Sequence, residues 1–249
     1  MEEKSSESIK NLIEDIDNED IVLPEFQRDF VWDIGKTFDL FDSLIRTIFI
    51  GSIIYGVPVF EITTREIDKR PRKGVGSRKK LKTQSMSKND IDKKVKVKKF
   101  RIILDGQQRA TSVYRALKGI DEVWFIAKHE DEIGEDISNN NKMVLEELLH
   151  EFRGQEDKDR LSIKISDVYK MLIGDIKRES HKIKLLESSA YFKRNSAYFS
   201  DKQKDFLVEL FLGITDNLQD VIKAEKLISY YLLNMNTEKF ALFFHALFI

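Results

Sequence analysis

The chain has 249 residues, 41% of them hydrophobic, a formal net charge of −1 and no cysteine. That length holds one large domain or two modest ones with a real core, and only 3 prolines argue against wholesale disorder. The absence of cysteine excludes disulfides, thiolate zinc sites and cysteine nucleophiles, and fits a cytoplasmic location.

The opening "MEEKSSESIK" lacks the apolar core of a secretory signal. Residues 8–18 predict a short helix with Ile9, Leu12, Ile13 and Ile16 on one face. "IVLPEF" predicts extended chain, because Pro24 disfavours helix for the residue before it. In "DIGKTFDLFDSLIRTIFIG", Phe38, Phe41, Leu44, Ile45 and Ile48 recur at helical spacing, which predicts an amphipathic helix ending near Gly51. "SIIYGVPVFEI" is rich in β-branched and aromatic residues and predicts a strand.

A basic stretch comes next. Between Arg65 and Arg101 there are 16 Lys or Arg against 4 Asp or Glu. Residues 68–99 predict a long mobile loop or the tip of a hairpin, followed by "VKVKKFRIIL" as a strand. A helix follows from about Gln108 to Leu117, then a strand in "EVWFIAK". After about Asn139 the pattern predicts only helices: "KMVLEELLHEF", "ISDVYKMLIGDI", "HKIKLLESSAYF", "DKQKDFLVELFLGI" and "DVIKAEKLISYYLLNM". The expected organisation is an α/β domain over residues 1–138 and a helical region over 139–249. The apolar run "FALFFHALFI" is too short to cross a bilayer. It suggests either that a larger protein continues beyond Ile249, or that this end docks in a core or on a partner.

The chemistry concentrates in "FRIILDGQQRATSVYRALKG". A strand that turns through Asp105-Gly106 into a helix leaves unpaired backbone N–H groups at the positive end of the helix dipole, a ready anion site. Gly106 allows close approach or a positive φ. Arg109 could grip a phosphate in bidentate fashion, and Gln107 and Gln108 could position a water or an ester oxygen. Asp105 could cap the helix or hold a Mg2+ ion beside the phosphate. The same residues also suit a plainly capped helix with Arg109 in a surface pair.

A second cluster is "LPEFQRDFVW", where Gln27 and Arg28 sit between Phe26 and Phe30. The rings could bury themselves and hold Gln27 and Arg28 at a cleft edge, or simply anchor the segment. In the basic stretch, Lys69, Arg70, Arg72, Lys73, Arg78, Lys79, Lys80 and Lys82 could contact DNA backbone or form a solvated loop. The acidic runs, Glu130 to Asp136 and Glu146 with Glu147, are read as solvated faces. His129, His150, His181 and His245 show no metal-ligand spacing.

"PEFQRDFVW", "SLIRTIFIGSIIYGVPVFEITTREIDKRPRKGVGSR" and "RIILDGQQRATSVYRAL" together resemble the domain of unknown function number 262, the N-terminal domain of GmrSD-type, modification-dependent restriction systems. The resemblance implies an α+β chain whose N-terminal part has a ParB/sulfiredoxin-like fold. It matches Asp105, Gly106, Gln107, Gln108 and Arg109 to the family's DGQQR motif, tied to nucleotide binding and hydrolysis. Phe26, Gln27 and Arg28 match its FQR motif on the facing side of the pocket. It implies a nucleoside triphosphate as ligand or substrate, Mg2+, DNA that is often modified, and a nuclease domain or subunit not seen in this chain. Sulfiredoxin chemistry is excluded, since it needs a cysteine.

Three functions follow as expectations. The chain is a nucleoside-triphosphate hydrolase module, with Asp105, Gln107, Gln108 and Arg109 catalytic and Arg28 gripping phosphate. It is alternatively a ParB-like nucleotide- or DNA-binding switch without significant turnover, or a specificity module for modified bases. No membrane association is expected, and an oligomer is left open.

Overall fold

A computed structural model describes residues 3–97, 99–127 and 150–241. The chain is α+β, and its contacts divide it into two units. The first comprises Met1–Trp32, Ile50–Ser112 and Ala224–Ile249; the second comprises Asp33–Phe49 and Val113–Lys223.

The first unit is built on a seven-stranded mixed sheet. Its strands are β1 (Glu3–Glu7), β2 (Ile21–Pro24), β3 (Ile53–Pro58), β4 (Ile62–Arg65), β5 (Thr83–Met86), β6 (Arg101–Asp105) and β10 (Ile228–Met235), in the order β1-β10-β3-β6-β2-β4-β5. β6 runs parallel to β2 and antiparallel to β3. Arg101 to Leu104 are buried and only Asp105 is exposed, so this strand delivers its last residue to solvent from the middle of the sheet. Its Ile102 and Leu104 share a core with Val22, Ile62, Met86 and Ile91.

Helix α1 (Ile9–Asp17) starts where Ser8 Oγ accepts the Asn11 N–H at 3.1 Å, and it buries the four apolar residues its spacing predicts. One buried charge in this unit, Arg101, is paired with two carboxylates. Arg101 pairs with Glu7 at 2.7 Å and Asp15 at 2.8 Å, stacks 4.2 Å over the Tyr55 ring, and Tyr55 donates to Glu7 at 2.7 Å.

The second unit carries a three-stranded antiparallel sheet, β8-β7-β9, from β7 (Trp124–Ala127), β8 (His150–Arg153) and β9 (Ser162–Lys164). Helix α2 (Ile34–Ile45) packs on β8, with Phe41 and Phe152 5.8 Å apart. Among the described residues this unit also contains the helices α5 (Ile165–Ile173), α6 (Glu179–Ser188), α7 (Ala190–Asn195) and α8 (Asp201–Lys223). Arg115 and Asp121 form a buried bidentate pair at 2.8 and 2.9 Å.

Several sequence expectations are corrected. Of the two forms expected for residues 68–99, the hairpin is present, since β5 pairs with β4 across the first part of the segment. The rest is corrected, because α3 (Lys88–Val97) follows where no helix was expected. Helix α3 buries only Ile91, which is why it showed no apolar stripe. Its Asp90 near the start and Lys94 and Lys96 near the end suit the helix dipole instead. "VKV" therefore belongs to this helix, not to the strand that follows.

Helix α2 ends at Ile45 rather than near Gly51, because Thr47 turns to a positive φ of 53°. "HEF", expected as helix, is strand β8, and "LISYYLLNM", expected as helix, contains strand β10. β10 lies between β1 and β3, whose residues are about 170 or more positions away in sequence. Pairing at that distance decides its conformation, and its Ile and Tyr residues favour it. The stretches around Glu130 to Asp136, Glu146 with Glu147, His129 and His245 lie outside the described residues.

Candidate functional site

Strand β6 ends at Asp105, Gly106 turns with φ 89°, and helix α4 (Gln107–Leu117) begins. A Cβ on Gly106 would lie 3.1 Å from Ile53 Cγ1 and 3.2 Å from Ile53 Cα, so both conformation and space call for glycine.

The "FQRDFVW" segment lies directly against this turn. Gln27 Nε2 donates to the carbonyls of Ile103 (2.6 Å) and Leu104 (2.9 Å) at the end of β6. Gln107 Nε2 donates to the Arg28 carbonyl at 2.8 Å. Gln108 Oε1 accepts the N–H groups of Val31 (2.9 Å) and Trp32 (3.2 Å), and its Nε2 donates to the Asp29 carbonyl at 3.1 Å. Four backbone groups of a loop without regular structure are thereby satisfied by two glutamine amides, while Gln27 reaches from the loop to β6; together they fix the loop to the turn. The two motifs, some 80 positions apart, form one constellation.

These bonds define what each residue can still offer. Gln108 is buried, and both ends of its amide are engaged by the loop. Gln27 Oε1 is buried and accepts no hydrogen bond among the described residues. Arg28 is exposed, and its side chain has no partner among the described residues. Asp105 is 54% exposed and meets Arg109 only at 3.6 Å. Phe26 packs edge-on against Phe240 at 5.4 Å.

Arg109 is placed differently from a free gripping group. Its Nη1 donates to the Ile50 carbonyl at 2.7 Å and its Nη2 to the Ser52 carbonyl at 3.1 Å. Both carbonyls flank Gly51, which has φ 87°. The guanidinium braces the entry to β3 against the start of α4.

Three residues from the basic stretch and its border hold the loop from the other side. Arg65, buried on β4, pairs with Asp29 at 2.6 Å and donates to the Arg28 carbonyl. The Arg65–Asp29 hydrogen bond holds the Asp29 carboxyl below its ordinary range, against the upward push of partial burial, with Arg70 adding to the effect. Arg72 donates to the Trp32 carbonyl and lies 5.1 Å over the Phe30 ring. Arg70 is held by Asp68 at 2.6 Å, by the Lys79 carbonyl at 3.0 Å and by Asp29 at 3.4 Å.

Arg70 and Arg72, expected on DNA, are thus engaged in this clamp, whereas Lys73, Arg78, Lys79 and Lys80 are exposed. The sequence reading missed Asp29, Arg65 and Gly51. Only a glycine between two apolar segments hinted at the last, and no local signal marks a pair 36 positions apart.

Among the described residues no group of three or more His, Asp or Glu is placed to hold a metal ion, and no helix is long and apolar enough to cross a membrane. The family model for the GmrSD restriction endonuclease, N-terminal domain, matches residues 9–246. No curated protein matches the chain.

Proposed function

From the premise that this chain belongs to the GmrSD restriction endonuclease N-terminal domain family, and so to a restriction or phage-defence protein, we propose that it is a nucleotide-binding, NTP-hydrolysing module. Its turnover is coupled to DNA recognition or cleavage by a nuclease outside this chain. The observation that carries this reading is the joining of "FQR" to "DGQQR" through Gln27, Gln107 and Gln108, with Arg28 and Asp105 both left exposed.

In this reading the phosphates lie at Gly106 and the start of α4, where backbone N–H groups and the helix dipole favour negative charge. Arg28 supplies the gripping cation, and Gln27 Oε1 is an acceptor available to a ligand. Gln108 acts by positioning the loop; Gln107 shares that task. Arg109 keeps the turn in place, and its side chain is 18% exposed.

Mg2+ would arrive with the nucleotide. A single exposed carboxylate, Asp105, suits an ion whose other ligands are phosphate oxygens and water. It would neutralise charge on the phosphates. DNA is the partner that the family suggests, and Lys73, Arg78, Lys79 and Lys80 are the exposed cations proposed to meet its backbone. A ParB-like fold, recognition of modified bases and a cytoplasmic location belong to the same proposal.

Phosphate release with each NTP and Mg2+, with and without DNA, in wild type and Arg109→Ala, tests it. Release that Arg109→Ala lowers at least tenfold supports hydrolysis. Binding without release in every condition supports instead a nucleotide-controlled switch. Neither binding nor release sinks both.

A further inference from the structure

A second concave site lies in the first unit, between α1 and the β4–β5 hairpin. It is a cavity of about 460 Å³, within the range that holds small ligands and several times larger than a bare phosphate needs. Its apolar wall includes Ile16, Ile21, Val22, Ile67 and Met86, all buried. Four cations line it, Arg65, Lys69, Lys82 and Lys94, against two acids, Glu19 and Glu66. Glu66 also accepts the Lys82 backbone N–H at 3.2 Å. Thr83 and Gln84, exposed on strand β5, add hydrogen-bonding groups to the lining.

Arg65 gives the cavity a further polar feature. It is buried, and its Nε–H has no hydrogen-bond partner among the described residues. A buried donor left unmatched is costly, and an anion or an ester oxygen would satisfy it. The other two guanidinium nitrogens hold Asp29 and the Arg28 carbonyl. A ligand here would therefore touch the residue that clamps the "FQR" loop.

We propose that this cavity binds a phosphate ester with an apolar body, mononucleotide in size, as a second site distinct from the "FQR"–"DGQQR" edge. The apolar wall takes the body, and Lys82 and Lys94 with Arg65 meet the phosphate. Such an ester exists both as a free nucleotide and as a residue of a DNA strand.

The test uses the full chain carrying Arg28→Ala, which removes the exposed cation of the other site. Thymidine monophosphate, inorganic phosphate and a thymidine octanucleotide are titrated by calorimetry, before and after Lys82→Glu with Lys94→Glu. One equivalent of thymidine monophosphate, weakened at least tenfold by the paired substitutions, is the expected result. Binding of the octanucleotide alone, with the same loss, supports the same chemistry and assigns its source to a strand. Inorganic phosphate binding as tightly as the nucleotide, no binding of either nucleotide form, or binding indifferent to the paired substitutions overturns the proposal. Methyl resonances of Ile67 and Met86, followed in the Arg28→Ala chain, keep the test independent of how the paired variant folds. They shift on saturation with whichever nucleotide form binds if the site is correct, and their constancy overturns it.

Discussion

Arg109 occupies the space in which Gly51 would carry a side chain: a Cβ there would lie 2.2 Å from Arg109 Nη1. Gly51 also sits at φ 87°, so alanine is disfavoured both by its own backbone and by the guanidinium beside it. Gly51→Ala is expected to cost about 1–3 kcal/mol, read as a shift in the denaturant midpoint. Gly51→Ala with Arg109→Ala should be less destabilised than the sum of the two single changes, since one removes the other's clash. Strict additivity would show that the contact is not the cause.

Gln108 supports a prediction about the loop itself. Its Oε1 accepts the N–H groups of both Val31 and Trp32. Gln108→Ala leaves these groups without that acceptor, at a cost of about 1–3 kcal/mol. Amide hydrogen exchange at Val31 and Trp32 should quicken in this variant while that of β6 stays slow. Unchanged exchange at both amides would remove Gln108 from its positioning role.

The Asp29–Arg65 clamp sets a pH dependence whose sign is fixed. Arg65 holds the folded-state pKa of Asp29 below its ordinary value of 3.8. The pair's contribution is therefore complete above that value and is lost as pH falls through the lower folded-state value. Asp29 is 59% exposed, so the contribution is small, about 0.2–1 kcal/mol. Asp29→Asn should lower the melting temperature near neutrality, and the difference from wild type should shrink below pH 3.8 and vanish only once the pH lies under the lowered folded-state value. A difference that grows on acidification would contradict the assignment.

Much of the site was legible before any coordinates, but only as residue types. "FQR" and "DGQQR" announced two polar clusters, and the strand, the glycine and the helix that carry the second are all present. What their amides do was not legible. The glutamines meet carbonyls and N–H groups about 77 positions away, and nothing local distinguishes such a residue from one that faces a ligand. The basic stretch was legible only in part for a related reason. Its charge density suited a loop or a hairpin tip, with cations on DNA or in solvent, and gave no sign that Arg70 and Arg72 engage Asp68, Asp29 and the Trp32 carbonyl. Strand β10 was hidden because its Ile, Tyr and Leu positions also fit helical spacing, and its partners β1 and β3 are remote.

The exposed lysines give a separate prediction for DNA. Lys79→Ala and Lys80→Ala should each lower the slope of log affinity against log salt by about 1, uniformly across DNA sequences. The measurement is a fluorescence-anisotropy titration at several salt concentrations. Arg72→Ala should act differently, loosening the "FQR" loop, since its guanidinium holds the Trp32 carbonyl and the Phe30 ring. Affinity indifferent to salt would end the proposed backbone contact.

The central claim is that one nucleotide site is formed where the "FQR" loop meets the "DGQQR" turn. A crystal structure of the chain with a non-hydrolysable nucleoside triphosphate and Mg2+ tests it most directly. The account predicts phosphate oxygens within hydrogen-bond reach, about 3 Å, of the Gly106–Gln107 backbone and of Arg28. A nucleotide whose phosphates all lie more than about 10 Å from that turn, far beyond hydrogen-bond reach, would contradict it.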